Sequence, residues 1–155
     1  MSAILRIDAL LDSNVLIAML FEAHEHYGPS LALLANGGDI RFAVAAHSFA
    51  ETYTTLTRRG QHAQFQFTPD EAWAALESIR AVTSVVSLTA PQTLDAIRSY
   101  AASGGTGPRL YDRLIGEAAI IYAIPAIVTW NLSHMRGLFP ALAVVTPDEF
   151  ANAPP

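Results

Sequence analysis

Apolar positions in this chain fall into two periods. Short, nearly continuous apolar runs at Asp8–Leu11, Ile40–Ala45, Ser84–Leu88, Ala126–Trp130 and Ala143–Thr146 read as five buried strands. Between them lie stretches with helical spacing: Asn14–Leu20, Tyr27–Ala35 with Pro29 near its start, His47–Arg59 closed by Gly60, Pro91–Ala102 and Arg109–Tyr122. Thr68-Pro69-Asp70-Glu71 opens a further helix reaching Arg80 or Ala81, with Thr as cap, Pro in the first turn and Glu three residues after the cap. A Pro-started helical turn at Asp148–Phe150 follows the last strand. Met1–Ile7 is a lead-in, Asn36–Asp39 a turn, Gln61–Phe67 a polar-aromatic loop, and Ser103–Pro108 a loop too short and irregular to link two domains. Strands alternating with helices predict an α/β fold of three layers around a parallel sheet. There is no internal repeat, and one domain over residues 1–150 with a loose tail at 151–155 is expected.

Composition narrows the chemistry. The chain has 155 residues, 52% hydrophobic and 15% charged, enough for a substantial core and too apolar for disorder. Its longest apolar stretch, Ala118–Trp130, is short for a membrane span and is broken by Pro125. No signal peptide is apparent, so a cytoplasmic protein with no membrane association is expected. There is no cysteine, which excludes disulfides, thiolate zinc sites and thiol catalysis. There is no lysine either, since all nine basic residues are Arg, which excludes a Walker A loop and Schiff-base chemistry. A net charge of −5 gives no general attraction to nucleic acid, so a polyanion would have to bind through local Arg and bound metal.

Three acids carry the candidate chemistry. In Leu10-Leu11-Asp12-Ser13-Asn14-Val15-Leu16-Ile17-Ala18 a buried strand ends in a carboxylate, at the end of a parallel strand where ligands collect. Asp12 needs a partner: it either anchors a cation or caps the helix that follows. Glu51 either reaches back to Ser48 in a capping box, Ser48-Phe49-Ala50-Glu51, or belongs to a polar stripe with Thr54, Thr55 and Arg58 along a cleft wall. Asp112 is either a first-turn acid favoured by the helix dipole or a third ligand, with Gly116 one turn later leaving room beside it. Asn131 could bind a metal, hold a water or cap the turn toward Ser133, and Thr129 could support a ligand from behind. Glu117 and Arg113 suit a surface ion pair. His24 and His26 lie in an exposed turn, and His47, His62 and His134 are scattered without a His-x3-His pair, so no histidine-ligated metal is expected.

Together, Leu10–Ile17, Ser48–Glu51, Tyr111-Asp112-Arg113-Leu114-Ile115 and Val128-Thr129-Trp130-Asn131 resemble the PIN domain family, and within it the VapC-type toxins of VapBC toxin–antitoxin pairs. The resemblance implies a parallel sheet of order 3-2-1-4-5 between helices, and a Mg²⁺- or Mn²⁺-dependent endoribonuclease. Asp12, Glu51 and Asp112 would be its catalytic and metal-binding acids, with Thr129 auxiliary. The fourth position, often Asp in the family, is Asn131 here, a weaker ligand that bears on whether a second metal binds. The implied partners are an RNA substrate, a VapB-type antitoxin and a second copy of the chain, the candidate surface being Glu25–Ala35 with Thr52–Arg59. Arg58 and Arg109 are the candidate RNA phosphate contacts; alternatively they are solvated or bind a protein partner. Two rivals stand beside the nuclease: a non-catalytic PIN-like module that binds RNA or protein, and a metal-dependent phosphatase, disfavoured by the lack of an Asp-x-Asp pair and of lysine.

Overall fold

The computed structural model describes residues 6–35 and 38–153. Most of the Met1–Ile7 lead-in, the first half of the turn at 36–39 and the last two residues of the tail lie outside them. Five strands form one sheet: β1 (Ala9–Leu11), β2 (Phe42–Ala45), β3 (Ser84–Val86), β4 (Ala126–Val128) and β5 (Ala143–Val145). The order is β3-β2-β1-β4-β5, with every pairing parallel. The expected fold class and strand order are therefore observed. The helices are α1 (Ser13–Leu20), α2 (Tyr27–Ala35), α3 (Ala46–Thr57), α4 (Pro69–Arg80), α5 (Ala90–Ala102), α6 (Arg109–Ile121), α7 (Leu132–Leu138) and α8 (Pro147–Ala151). Among the described residues no helix is long and apolar enough to cross a membrane.

The central strands are apolar at every position because both their faces are covered. Alternate residues of β1 feed two cores. Ala9 and Leu11 meet Val15, Leu16 and Met19 of α1, Leu33 of α2 and Ile79 of α4. Leu10 points the other way, to Ile115, Ala118 and Ala119 of α6 and Met135 of α7. Leu10 and Leu11 are wholly buried, each contributing roughly 1.5–3 kcal/mol by leaving water.

The strands end earlier than their apolar runs. Beyond Val128 the Thr129 N–H still donates to the Val145 carbonyl at 2.9 Å, and the Trp130 N–H then leaves the sheet for a side chain, Asn14 Oδ1, at 3.1 Å. Helix α4 begins where the Thr68–Glu71 capping box predicts, with both reciprocal hydrogen bonds formed. Helix α3 ends at Thr57, since Arg58 is already extended (φ −55°, ψ 138°), and the turn at Gly60 (φ +117°) follows outside it.

Two local expectations need correction. Helix α7 is absent from the periodicity reading; its apolar face, Leu132, Met135 and Phe139 just beyond its end, is short and interrupted by Gly137. Gly116 does not leave room beside Asp112. A Cβ there would lie 1.9 Å from the Phe139 ring, so the glycine makes way for an aromatic side chain that closes α6 against the end of α7. The expected ion pair of Arg113 with Glu117 forms at 2.8 Å, half-buried rather than fully exposed, and the same guanidinium bonds Ser99 at 3.1 Å and lies 5.5 Å from the Phe139 ring centre.

Candidate functional site

Asp12 leaves the central strand at its carboxyl end and turns directly into α1. Its N–H continues the ladder to the Val128 carbonyl at 3.0 Å. The residue is 4% exposed and its carboxylate accepts four hydrogen bonds: from the Ser13 N–H (2.7 Å) and hydroxyl (3.5 Å) to Oδ1, and from Thr129 Oγ1 (2.8 Å) and Asn14 Nδ2 (3.2 Å) to Oδ2. The helix-cap reading and the site reading are thus one geometry, since the carboxylate caps α1 while fixed from behind by Thr129. Burial pushes its pKa up to about 6; the hydrogen bond from Thr129 works against the rise and the charge of Asp112 adds to it.

Thr129 is a fully buried hub. Its hydroxyl donates to Asp12 and accepts from Asn14 Nδ2 (3.0 Å) and the Asn131 N–H (3.0 Å). Asn14, part of the Leu10–Ile17 motif but given no role from the sequence, bridges Asp12, Thr129 and the Trp130 backbone.

Glu51 stands on the second turn of α3. The capping box is not formed: the helix begins at Ala46, its cap is Ala45 without a side-chain bond, and Ser48 lies inside the first turn. Released from that role, Glu51 Oε1 is buried with no hydrogen-bond partner, and so are Ser48 Oγ and His47 Nε2. Each unpaired buried group costs about 1–3 kcal/mol. Burial, then the charges of Asp12 and Asp112, push the Glu51 pKa up to about 7.

Asp112 is in the first turn of α6, where the helix dipole favours an acid. Burial raises its pKa, opposed by His134, whose Nδ1 lies 3.7 Å from Asp112 Oδ2, and by the charge of Arg109. The structure therefore brings Asp12, Glu51 and Asp112, from β1, α3 and α6, into electrostatic contact at one end of the sheet. They stand open: among the described residues no three Asp, Glu or His side chains are drawn together closely enough to close around an ion.

Asn131 precedes α7 without capping it through its side chain, which lies 3.3 Å from His134 Nδ1. Arg58 and Arg109 are exposed and, among the described residues, make no ion pair or side-chain hydrogen bond. The histidines are less scattered than the sequence suggests. His47 lies 3.7 Å from Glu51 Oε1, and burial lowers its pKa, while His134 flanks Asp112. The signal for His47 was its four-residue spacing from Glu51, and for His134 the short apolar face of α7. Trp130 is anchored through Nε1 to Ser30 Oγ (3.0 Å), and the His26 ring stacks on it at 3.8 Å.

Several solved structures share this architecture. VapC20 of Mycobacterium tuberculosis, described as a Sarcin-Ricin loop cleaving toxin, superposes with a TM-score of 0.61 at 20% identity over 77% of this chain and 87% of its own. VapBC2 from Rickettsia felis, bound to a DNA fragment from their promoter, gives 0.61 at 17% identity over 89% and 97%. FitAcB from Neisseria gonorrhoeae gives 0.62 at 19% identity over 90% and 97%. No curated protein sequence matches the chain. At these identities the likeness speaks for the fold. The PIN domain family itself matches in sequence over residues 9–132, a span running from the start of β1 to the first residue of α7 and holding Asp12, Glu51, Asp112, Thr129 and Asn131. With that match covering most of the sheet and all three acids, the chain belongs to the PIN domain family.

Proposed function

We propose that this protein is a divalent-metal-dependent endoribonuclease, the toxin of a VapBC-type toxin–antitoxin pair. The observation that carries the reading is the meeting of Asp12, Glu51 and Asp112 at the carboxyl end of the central strands, with raised pKa values and with Glu51 Oε1 buried and unpartnered. The donors are mostly carboxylate oxygens, which suit Mg²⁺ or Mn²⁺, and one of them, Glu51 Oε1, has no hydrogen-bond partner, although among the described residues the acids as they stand do not close around an ion. When bound, a divalent cation offsets the repulsion among the acids and makes water acidic enough to attack phosphorus at neutral pH.

The chain's own groups do the rest. Asp12 is the central ligand, its carboxylate fixed by the Thr129 hydroxyl and the Ser13 N–H. Glu51 and Asp112 are its companions. Asn131, neutral where an acid is frequent, orients water through its amide rather than adding charge. Arg58 and Arg109, both exposed, take RNA phosphates and compensate locally for the net charge of −5. The products are a 5′-phosphate and a 3′-hydroxyl. A VapB-type antitoxin and a second copy of the chain are the proposed partners. The apolar groove of about 620 Å³ between α3 and α4, lined by Phe49, Tyr53 and Trp73, supports a large protein contact beside the Thr52–Arg59 segment.

The test is cleavage of cellular RNA by purified protein, with sequencing of the RNA ends. Asp12→Asn should abolish Mg²⁺- or Mn²⁺-dependent cleavage and growth inhibition while the protein remains folded; full activity of the folded variant would refute the reading. The open arrangement of the acids and the amide at position 131 favour one rival, a PIN-like module that binds RNA or protein without cutting. That rival predicts RNA or protein binding with no nuclease activity and no stabilisation by metal.

A further inference from the structure

Phe21 closes α1, and Phe65 comes from the polar-aromatic loop between α3 and α4, a segment for which the acids have no use. The two rings meet edge to face, 4.8 Å apart at 84°. With His24, Glu25 and Gln64 they line a cavity of about 400 Å³, within the range of small-ligand clefts. The loop is braced to hold Phe65 there. Gln66 takes a left-handed backbone (φ +51°), and its amide donates to the Ala63 carbonyl at 3.2 Å. The Phe67 N–H donates to the Leu56 carbonyl at 2.8 Å, and its own carbonyl accepts from Arg59 at 2.8 Å. A non-glycine residue in that backbone region persists only where its surroundings hold it.

A row of rings leads from the cavity toward the acids. The His24 Nδ1 accepts from the His26 N–H at 3.0 Å, which leaves the ring proton on Nε2 as a donor. The His24 and His26 ring centres lie 5.7 Å apart, and His26 stacks on Trp130 at 3.8 Å and 10°. The Trp130 indole reaches Ser30 on α2, while its backbone N–H bonds Asn14, a partner of Asp12. Asp12 and Phe21 stand at opposite ends of the eight-residue α1, about 12 Å apart along its axis.

The cavity lining holds no Arg, so it is not built for a phosphate. Aromatic faces edged by an amide, an imidazole N–H and a carboxylate are what an unpaired base stacks on and hydrogen-bonds to. We propose that the cavity at the end of α1 receives an unpaired base of the RNA substrate, with the His24, His26 and Trp130 rings lying along the path of the strand to the acids. At roughly 3.4 Å per stacked nucleotide, the 12 Å of α1 puts that base about three or four nucleotides from the bond that is cut. The proposal rests on the reading of the protein as a ribonuclease acting at Asp12, Glu51 and Asp112.

The experiment uses the full chain in EDTA, so that nothing is cut, and follows its aromatic ring protons by NMR. The probes are penta-adenylate and an abasic ribose-phosphate strand of the same length. We expect the Phe21, Phe65 and His24 ring resonances to move upfield with penta-adenylate and to stay in place with the abasic strand. This measurement is made on wild type and does not depend on a variant folding. Phe65→Ala should weaken penta-adenylate binding roughly fivefold to hundredfold, while Phe65→Tyr, which keeps a stacking face, should stay within about threefold of wild type. Rings indifferent to penta-adenylate, or moved equally by the abasic strand, overturn the proposal. So does a response of the same rings to N-acetylarginine amide at lower concentration than to penta-adenylate, which would make the cavity a seat for a protein partner's side chain. Metal-dependent cleavage of cellular RNA with the rings indifferent to penta-adenylate would overturn this inference alone. Rings that respond as expected in a protein that cuts no RNA with any divalent metal would overturn the nuclease reading and leave the base site standing.

Discussion

Replacing Asp12 by Asn should make the metal-free protein more stable in mild alkali, although it deletes a hydrogen-bonded group from the core. Asp12 is buried, and its pKa rises from 3.8 to about 6. Burial favours the neutral form, so the folded state keeps this proton to a higher pH than the unfolded chain does. The stabilisation is fully present below pH 3.8 and is lost as pH rises through about 6. The interval of about 2 pH units corresponds to about 3 kcal/mol. Asn is neutral throughout and escapes that loss. It has only one acceptor oxygen, however, and Asp12 uses two, for Ser13 and Thr129, so the variant forfeits about 1 kcal/mol at every pH. The net expectation is a variant about 1 kcal/mol less stable than wild type near pH 4 and about 2 kcal/mol more stable near pH 8. Urea denaturation in EDTA at a series of pH values measures the difference directly. The crossover is the readout, because a purely structural cost of the substitution would not vary with pH. A pH-independent difference, or a variant less stable than wild type at pH 8, would refute the argument.

Metal binding should weaken as the solution is acidified, since protons compete for Glu51, with a pKa of about 7, and for Asp12, with a pKa of about 6. Calorimetric affinity should fall by up to about tenfold per pH unit just below pH 7 and more steeply below 6; a constant affinity from pH 5.5 to 8 would contradict the assignment. Gly116→Ala should cost about 1–3 kcal/mol in urea denaturation by driving a methyl group into the Phe139 ring, and an unchanged midpoint would show that the α6–α7 packing has slack.

The sequence carries the sheet well because β1, β2 and β4 are buried on both faces and so apolar at every position. It carries α4 to the residue, since a capping box is local chemistry. The same pattern misleads at Ser48–Glu51. There β2 runs straight into α3 without a linker, so the sheet sets where the helix begins and Ser48 falls inside it. Only the three-dimensional start of that helix releases Glu51 toward the other acids. His47 and His134 carry only faint sequence signals for a related reason: one depends on that helix phase, the other on a seven-residue helix held by Met135 and Phe139. Thr129 stands out in the sequence as an auxiliary hydroxyl, but Asn14, which ties it to Trp130, needed the geometry.

The strand order has a consequence for how the molecule is made. The hydrogen bond from Thr129 to Asp12 joins residues 117 positions apart, and β4, which completes the flank of β1, comes late in the chain. As translation proceeds from the N-terminus at roughly 5–20 residues per second, β1, β2 and β3 emerge well before the segment that locks the carboxylate in place. Assembly thus leaves the acids unaligned on the ribosome until Thr129 has been added and has emerged, and a chain cut short ahead of Thr129 carries all three of them without the brace that aims the first.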